Sequence, residues 1–585
     1  MKCDLRIDNA CIIDGTGSPR FMGSVAVSGG RIVSCSPDVV HAASQVVDAQ
    51  GLVLAPGFVD IHTHYDAQVL WDPFLTISPW HGVTTAVMGA CGFGIAPTRP
   101  SGRQLILRTL ERVEAMSISA LQAGLGDDWP FESFAQYLDT IETRGTAINV
   151  GVMVGHTPVR LFVMGEEAVE RAATESEITQ MQSLVFEAMQ AGALGFATSV
   201  STVHYGFDGK PVPSRLAERE EMLAMARAVR DAGHGIIHYN VARESKFDDY
   251  VAMHEASGAT VCWTAVLAGQ LGPWRHREVL ARNDALRARG LPIFPQVACR
   301  PIVSEFSFES PVIFDTWALF DPVRRCADQS ALIRVYSDPE FRAKFSRELA
   351  GLGGHDRFFS GGADEGRMRR ASLLMTELSN SETHSQWAGR KLVDLAREQR
   401  REFTDLMLDI ALQSGLKARF RTPLANFQDD EVQEILSHPD VVLGLGDGGA
   451  HLSQLCDACY PTHLLGHWVR ERKAFTLEQA VHMLSGRTAA VFEIAGRGRI
   501  APGFAADLVL FDPDRVAAGP LERVCDLPAR ADRLISKPQG VEQVWVNGQA
   551  LPAPGHLPEA GWRLPGQLIR GVRHGPGINL TELRS

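Results

Sequence analysis

An α/β chain built on a (β/α)8 TIM-like barrel, with small β-structures at its two ends, is the fold class this 585-residue sequence predicts, and three observations predict it. From about residue 57 to 496, short apolar runs alternate with amphipathic helical stretches, the signature of a parallel sheet. Several of those runs end on His, Asp or Cys, the placement expected of a barrel that carries its chemistry at the C-terminal ends of its strands. The two ends of the chain read instead as short period-two runs separated by Gly-containing turns.

Taken in order, residues 4–54 hold short alternating runs broken at Asp14-Gly15 and Gly29-Gly30, turn pairs that suit tight hairpins. One barrel unit starts at Thr174-Glu-Ser-Glu177, a capping box, where Thr174 and Glu177 can exchange hydrogen bonds with each other's backbone N–H. Ile178, Met181, Leu184, Val185, Ala188 and Met189 then keep helical spacing, and Gly192 stops the helix before the strand-like 193–198. The next unit repeats this: Leu216, Met222, Leu223, Met225, Ala226 and Val229 form an apolar face, Gly233 ends it, and Ile236-Ile-His238 re-enters a strand. Further strands are expected at 260–267, 292–297 and 441–445. Between Cys299 and Lys391 the chain is too long for one barrel step, so an insertion is expected around 300–390, with an aromatic-rich part at 306–320 and a Gly-rich part at 351–366. A covering for the pocket and a purely structural excursion both fit it. Residues 500–511 and 544–549 return to strands and turns.

The pattern most informative about chemistry is Asp60-Ile-His62-Thr-His64-Tyr-Asp66, leaving an apolar run. Alternate side chains of a strand share a face, so His62 and His64 can reach one cation while Thr63 turns away. Two surface histidines would look the same, but three further runs also end on ligand types: Gly89-Ala-Cys91-Gly92, Ile236-Ile-His238-Tyr-Asn240, and 441–451 with Asp447 and His451. Together these resemble the metal-dependent amidohydrolase superfamily and, through Cys91, its D-aminoacylase-like branch, the N-acyl-D-amino acid deacylases.

The resemblance covers nearly the whole chain and implies that both ends join in one β-sandwich beside the barrel: residues 1–56 and 497–585 around a barrel at 57–496. It implies zinc (Zn2+) as cofactor, with His62, His64, Cys91, His238 and Asp447 as metal ligands. A divalent cation brings the pKa of a bound water from near that of bulk water to about 7, and a thiolate such as Cys91 is stabilised by the same charge. Asp447 doubles as the proton shuttle from attacking water to leaving nitrogen, and His238 serves as ligand or as the group that polarises the carbonyl. Asp60 and Asp66 are expected to support the histidines or the turn. His204, Tyr205 and Arg215, on the loop after 193–198, are candidates to bind the substrate's carboxylate or acyl group, as are Arg243 and His451, with Arg300 a weaker one.

Two departures from the family pattern stand out. Its strand-six histidine has no counterpart in 261–267, and His-Tyr-Asn-Val-Ala-Arg-Glu244 replaces its usual strand-five motif. Whether one zinc or two are held therefore stays open. No lysine stands in 148–156, which argues against hydantoinase-like chemistry on cyclic amides.

A formal charge of −12, with 57 basic against 69 acidic residues and no dense basic run, argues against nucleic acid as a partner. No apolar stretch suits a membrane span or a secretory leader, and ten scattered cysteines do not frame a disulfide scaffold. A cytoplasmic enzyme with a small-molecule N-acyl substrate is expected, with a homo-oligomer left open. Cys456-Asp-Ala-Cys459 has redox or zinc spacing but no second pair beside it, and reads as two reduced thiols near the pocket rim. The leading reading is a zinc hydrolase of N-acyl, expectedly D-, amino acids. Its rivals are an amidohydrolase of another linear amide or carbamate with a bulky apolar or aryl part, and a metal-free binding barrel.

Overall fold

The computed structural model describes residues 2–37, 41–241, 246–270, 272–314, 317–351, 363–556, 558 and 561–571, with side chains in the 363–374 helix from 368 onward. Eight parallel strands follow one another in chain order: β1 (Phe58–Asp60), β2 (Val83–Met88), β3 (Asn149–Gly155), β4 (Gly195–Ser199), β5 (Ile236–Asn240), β6 (Val261–Thr264), β7 (Ile293–Val297) and β8 (Val442–Leu443). The seam between β8 and β1 is bridged where Thr63 pairs with Gly448. There His64 N–H donates to Gly448 O at 2.7 Å and Asp447 N–H donates to His62 O at 3.0 Å. The seam of the barrel thus runs through three of the predicted site residues, His62, His64 and Asp447.

Strands β2 and β3 are buried at every residue, as a parallel sheet sandwiched between barrel interior and outer helices requires. The helix Glu175–Gln190 carries both hydrogen bonds of the Thr174/Glu177 capping box, and the helix Arg219–Ala232 ends at Gly233 with φ of 80°. Both units therefore form as their sequence signals indicate. Strands β6 and β8 are shorter than expected, 261–264 and 442–443. After β8 the chain turns through Leu445 and Asp447 at φ of 59° and 45°, outside the strand region, so pairing stops and the loop carries Asp447 inward.

Both ends of the chain contribute to one mixed sheet, ordered Gln549–Ala550, Val541–Val546, Leu508–Phe511, Val53–Pro56, Cys3–Ile12, Phe21–Ser28 and Arg31–Ser36, with Ala43–Asp48 also paired to Cys3–Ile12. Its period-two pattern separates two cores. Leu54, Leu508, Leu510 and Trp545 join the core within the sheet, while Val53, Ala55, Val509, Phe511, Val544 and Val546 belong to the core shared with the barrel. Gly29-Gly30 forms a hairpin turn, and Asn547-Gly548 forms another with φ of 47° and 79°. A short strand, Leu568–Ile569, pairs with β3 at Val150 and Gly151.

The excursion between β7 and β8 runs past residue 390. Its three-stranded sheet joins Ile302–Ser307, Arg419–Ala425 and Glu377–Asn380, and its helices pack on a separate core of Phe306, Phe314, Phe345, Leu395, Met407 and Phe420. Polar contacts anchor it to the loops that follow β6, β7 and β8. Asn426 accepts from Ala268 N–H at 2.7 Å and donates to Ala298 O at 2.7 Å, and Glu305 N–H donates to Gln454 O at 2.7 Å. Among the described residues no helix is long and apolar enough to cross a membrane.

Candidate metal centre and active site

His62 and His64 both follow the end of β1, on either side of Thr63, whose bridge to Gly448 fixes them at the seam. Cys91 stands in the turn after β2, where Gly89 has φ of 83° and a Cβ there would lie 2.3 Å from Met153 O, so glycine is required. Cys91 itself, Asp447 and His451 all have left-handed backbone, φ of 57°, 45° and 49°. Such conformations are costly for residues with side chains and cluster at functional sites.

The donor atoms of His62, His64 and Cys91 all lie within 4.8 Å of one another. Cys91 Sγ is 3.4 Å from His62 Nε2, and Asp447 Oδ1 is 3.3 Å from His62 Nε2 and 3.9 Å from His64 Nε2. The outer nitrogen of each histidine faces a polar partner. His62 Nδ1 donates to Gln296 Oε1 at 2.9 Å, and His64 Nδ1 makes an ion-pair contact with Glu114 Oε1 at 3.1 Å, without hydrogen-bond alignment. That orientation leaves both Nε2 lone pairs toward Cys91 and Asp447, the arrangement in which an outer partner fixes the tautomer of a metal-binding histidine. Two imidazoles, a thiolate and a carboxylate are a donor set that suits zinc.

Burial, with the nearby His64, pushes the His62 imidazole down to about 3. Burial pulls His64 the same way, but the Glu114 carboxylate and Cys91 together outweigh it and raise His64 well above its ordinary value. Burial raises the Cys91 thiol, against the favourable contact of His64. Asn240 Nδ2 donates to Cys91 Sγ at 2.8 Å, a contact that favours negative charge on sulfur. Asp60 and Asp66 are pushed up to about 8 and about 7, burial first. They hold the backbone, Asp60 accepting from His62 N–H at 3.1 Å and Asp66 from Gly89 N–H at 3.0 Å.

His238 lies beside this group, its ring 5.0 Å from that of His62, but both of its nitrogens face the protein. Its Nδ1 accepts from Cys91 N–H at 3.3 Å, so its Nε2 carries the proton and meets Thr264 Oγ1 at 3.2 Å. Burial pushes it well below its ordinary value, leaving it neutral. The loop after β4 does bring three predicted residues together. His204 Nδ1 meets Ser199 Oγ at 2.8 Å and its ring lies 5.1 Å from Phe93, which neighbours His64. Arg215 donates to His204 O at 3.0 Å and lies 4.7 Å over the exposed Tyr205 ring. His451 is near enough for its charge to bear on His62 and His204. Arg300 is committed to Asp457 and Cys459, and Arg243 lies outside the described residues.

Sequence reasoning missed Glu114, Asn240, Gln296 and Thr264. Asn240 had a signal, since two residues beyond His238 on a strand means the same face, and Gln296 is the one polar residue of an apolar run. Glu114, at the end of the helix Arg103–Val113, carries no local signal.

The chain is 27% identical over 550 residues to a D-aminoacylase of Alcaligenes xylosoxydans xylosoxydans, covering 93% of each. It is 28% identical over 565 residues to that organism's N-acyl-D-aspartate deacylase, covering 94% of this chain and 92% of the relative. Among solved structures, an N-acyl-D-glutamate deacylase from Bordetella bronchiseptica, complexed with zinc and a phosphonate inhibitor that mimics the reaction's tetrahedral intermediate, is similar with a TM-score of 0.63 and 26% identity, covering 97% of this chain and 100% of that one. Residues 45–552 match the model of the Amidohydrolase family, and the protein belongs to that family.

Proposed function

We propose that this amidohydrolase is a zinc-dependent N-acyl-D-amino acid deacylase, hydrolysing the amide bond between an acyl group and a D-amino acid. The observation that carries the reading is the convergence of His62 Nε2, His64, Cys91 Sγ and Asp447 Oδ1 at one buried point on the barrel's C-terminal face. Relatives that span nearly its whole length act on N-acyl-D-amino acids, which supports the D configuration.

Those four residues would hold a single ion, and 261–267 offers no histidine for a second. Zinc bound there supplies Lewis acidity, making water nucleophilic near neutral pH and polarising the scissile carbonyl. Asp447, partly open to solvent, accepts the proton of the attacking water and passes it to the leaving nitrogen. Glu114 and Gln296 keep His64 and His62 turned inward, and neutral His238, held by Cys91 N–H and Thr264, buttresses the turn that carries Cys91. Arg215, with His204 and Tyr205, receives the substrate carboxylate. None of the ten cysteines is in a disulfide, which supports a reducing, cytoplasmic setting.

The test is hydrolysis of paired D and L N-acyl amino acids and a few aryl amides by the zinc-loaded protein. Cleavage confined to the D series supports the reading. Cleavage of aryl amides alone moves the activity to another linear amide, and silence across the panel removes it.

A further inference from the structure

The pair Cys456 and Cys459, outside the metal centre, is set in surroundings that a pair of inert core thiols does not need. Cys456 is the residue before a helical stretch that begins at Asp457–Cys459 and continues through Tyr460–His463, and Cys459 lies in its first turn. Cys459 Sγ lies 3.2 Å from the backbone oxygen of Cys456, so the turn folds the later cysteine back onto the earlier one. The Arg300 guanidinium, only partly exposed, donates from Nη1 to Cys459 Sγ at 2.8 Å, to Cys456 O, and lies 3.1 Å from Asp457 Oδ1. Asp457 meets the charge of this arginine, and its contact with Cys459 Sγ favours negative charge on that sulfur.

We infer that Cys456 and Cys459 form a redox-active dithiol, a modification site at which hydroperoxides convert the pair to a disulfide. The hydrogen bond from Cys456, helped by Arg300, draws Cys459 below the ordinary thiol range against its burial, while Cys456 is pushed up. That makes Cys459 the nucleophile and Cys456 the resolving thiol. The Cys459 thiolate attacks one oxygen of the hydroperoxide, forming S–O and breaking O–O, and the departing alkoxide takes up a proton as alcohol. Cys456 sulfur then attacks Cys459 sulfur, forming S–S and breaking S–O, and hydroxide leaves with the Cys456 proton as water. Two electrons pass from the two thiols to the hydroperoxide.

The pair is coupled to the site by chain and by charge. Asp457 is pushed up to about 7, by burial and in part by the negative charge of Asp447. The segment between them is short, with Gln454 and Leu455 N–H both donating to His451 O. Oxidation takes the sulfur partner from Arg300, leaves it Asp457, and ties residues 456 and 459 together next to the loop that bears Asp447 and His451.

The experiment treats the zinc-loaded protein with hydrogen peroxide, alkylates remaining thiols after denaturation, and maps the cysteines by peptide mass spectrometry. The expected result is a Cys456–Cys459 cross-linked peptide, reversed by dithiothreitol, with Cys456→Ser stopping at a Cys459 sulfenate trapped by dimedone. Full alkylation of both cysteines at peroxide levels that already oxidise exposed Cys525 would overturn the inference. So would a dimedone adduct absent from Cys459 in a folded Cys456→Ser variant. The wild-type map alone decides the matter if that variant does not fold.

Discussion

Asp447 Oδ1 stands between the Nε2 atoms of His62 and His64, and its left-handed backbone puts it there. Asp447→Asn keeps the size and the loop but cannot accept a proton, so turnover is expected to fall by about two to four orders of magnitude with an unchanged melting temperature. Steady-state rates and calorimetry check this, and near-native turnover would remove Asp447 from the proton path. Glu114→Gln is expected to weaken zinc binding by roughly 10–100-fold, read by chelator competition; unchanged affinity would make Glu114 a bystander. At this scale the sequence was partly legible. His62, His64, Cys91 and Asp447 announced themselves because each follows an apolar run, but Glu114 approaches from a helix whose local pattern says only that one face is buried. His238 was legible as a site residue, whereas its engagement with Cys91 N–H and Thr264 depends on the register of β5 against its neighbours.

Elements hold those residues through buried polar contacts. His156, after β3, accepts at Nδ1 from Thr198 Oγ1 of β4 at 2.9 Å and donates from Nε2 to Glu221 at 2.8 Å, while Arg160 pairs with the same carboxylate. Burial holds His156 below its ordinary value of 6.5. Burial works to raise Glu221, but the hydrogen bond from His156 and the Arg160 charge outweigh it and hold the carboxyl low. Both groups act in one direction. Below about pH 6.5 the unfolded chain binds a proton at His156 that the folded protein refuses, and further acid removes the benefit of ionised Glu221, so stability falls as pH falls. Glu221→Gln leaves Arg160 buried without its charge partner and is expected to cost about 3–5 kcal/mol, measured by denaturant unfolding at neutral pH; a variant as stable as wild type would contradict that account. The Thr174 capping box and Gly233 stop were readable because helix ends are local. The short β8 was not, because pairing there ends where the loop turns inward to the site.

For the whole molecule, the barrel and the sheet made from both chain ends share a core. Val53 and Ala55 from one end meet Val509, Phe511, Val544 and Val546 from the other on the barrel side. Expressing residues 57–496 alone exposes this face, each large apolar side chain forfeiting about 1.5–3 kcal/mol of burial, and the fragment is expected to be insoluble or to lack a cooperative thermal transition. A soluble fragment with native-like melting would show that the sheet is dispensable. The alternation of strands and helices made the barrel legible, whereas the joining of the two ends came from the family resemblance, since period-two runs do not name their partners. The insertion was legible as excess length between β7 and β8. Its reach to Ala425 was not, because 392–399 and 403–413 look like ordinary barrel helices yet pack on the insertion's own core.

One zinc ion, held by His62, His64, Cys91 and Asp447, is proposed to support deacylation of N-acyl-D-amino acids. The most direct measurement is the rate of N-acetyl-D-amino acid hydrolysis as zinc is titrated into metal-stripped protein, with bound metal counted in parallel. Activity should rise from near zero and level off at one zinc per chain, with His62→Ala binding less metal. Activity indifferent to zinc, or a plateau reached only at two ions per chain, would contradict it.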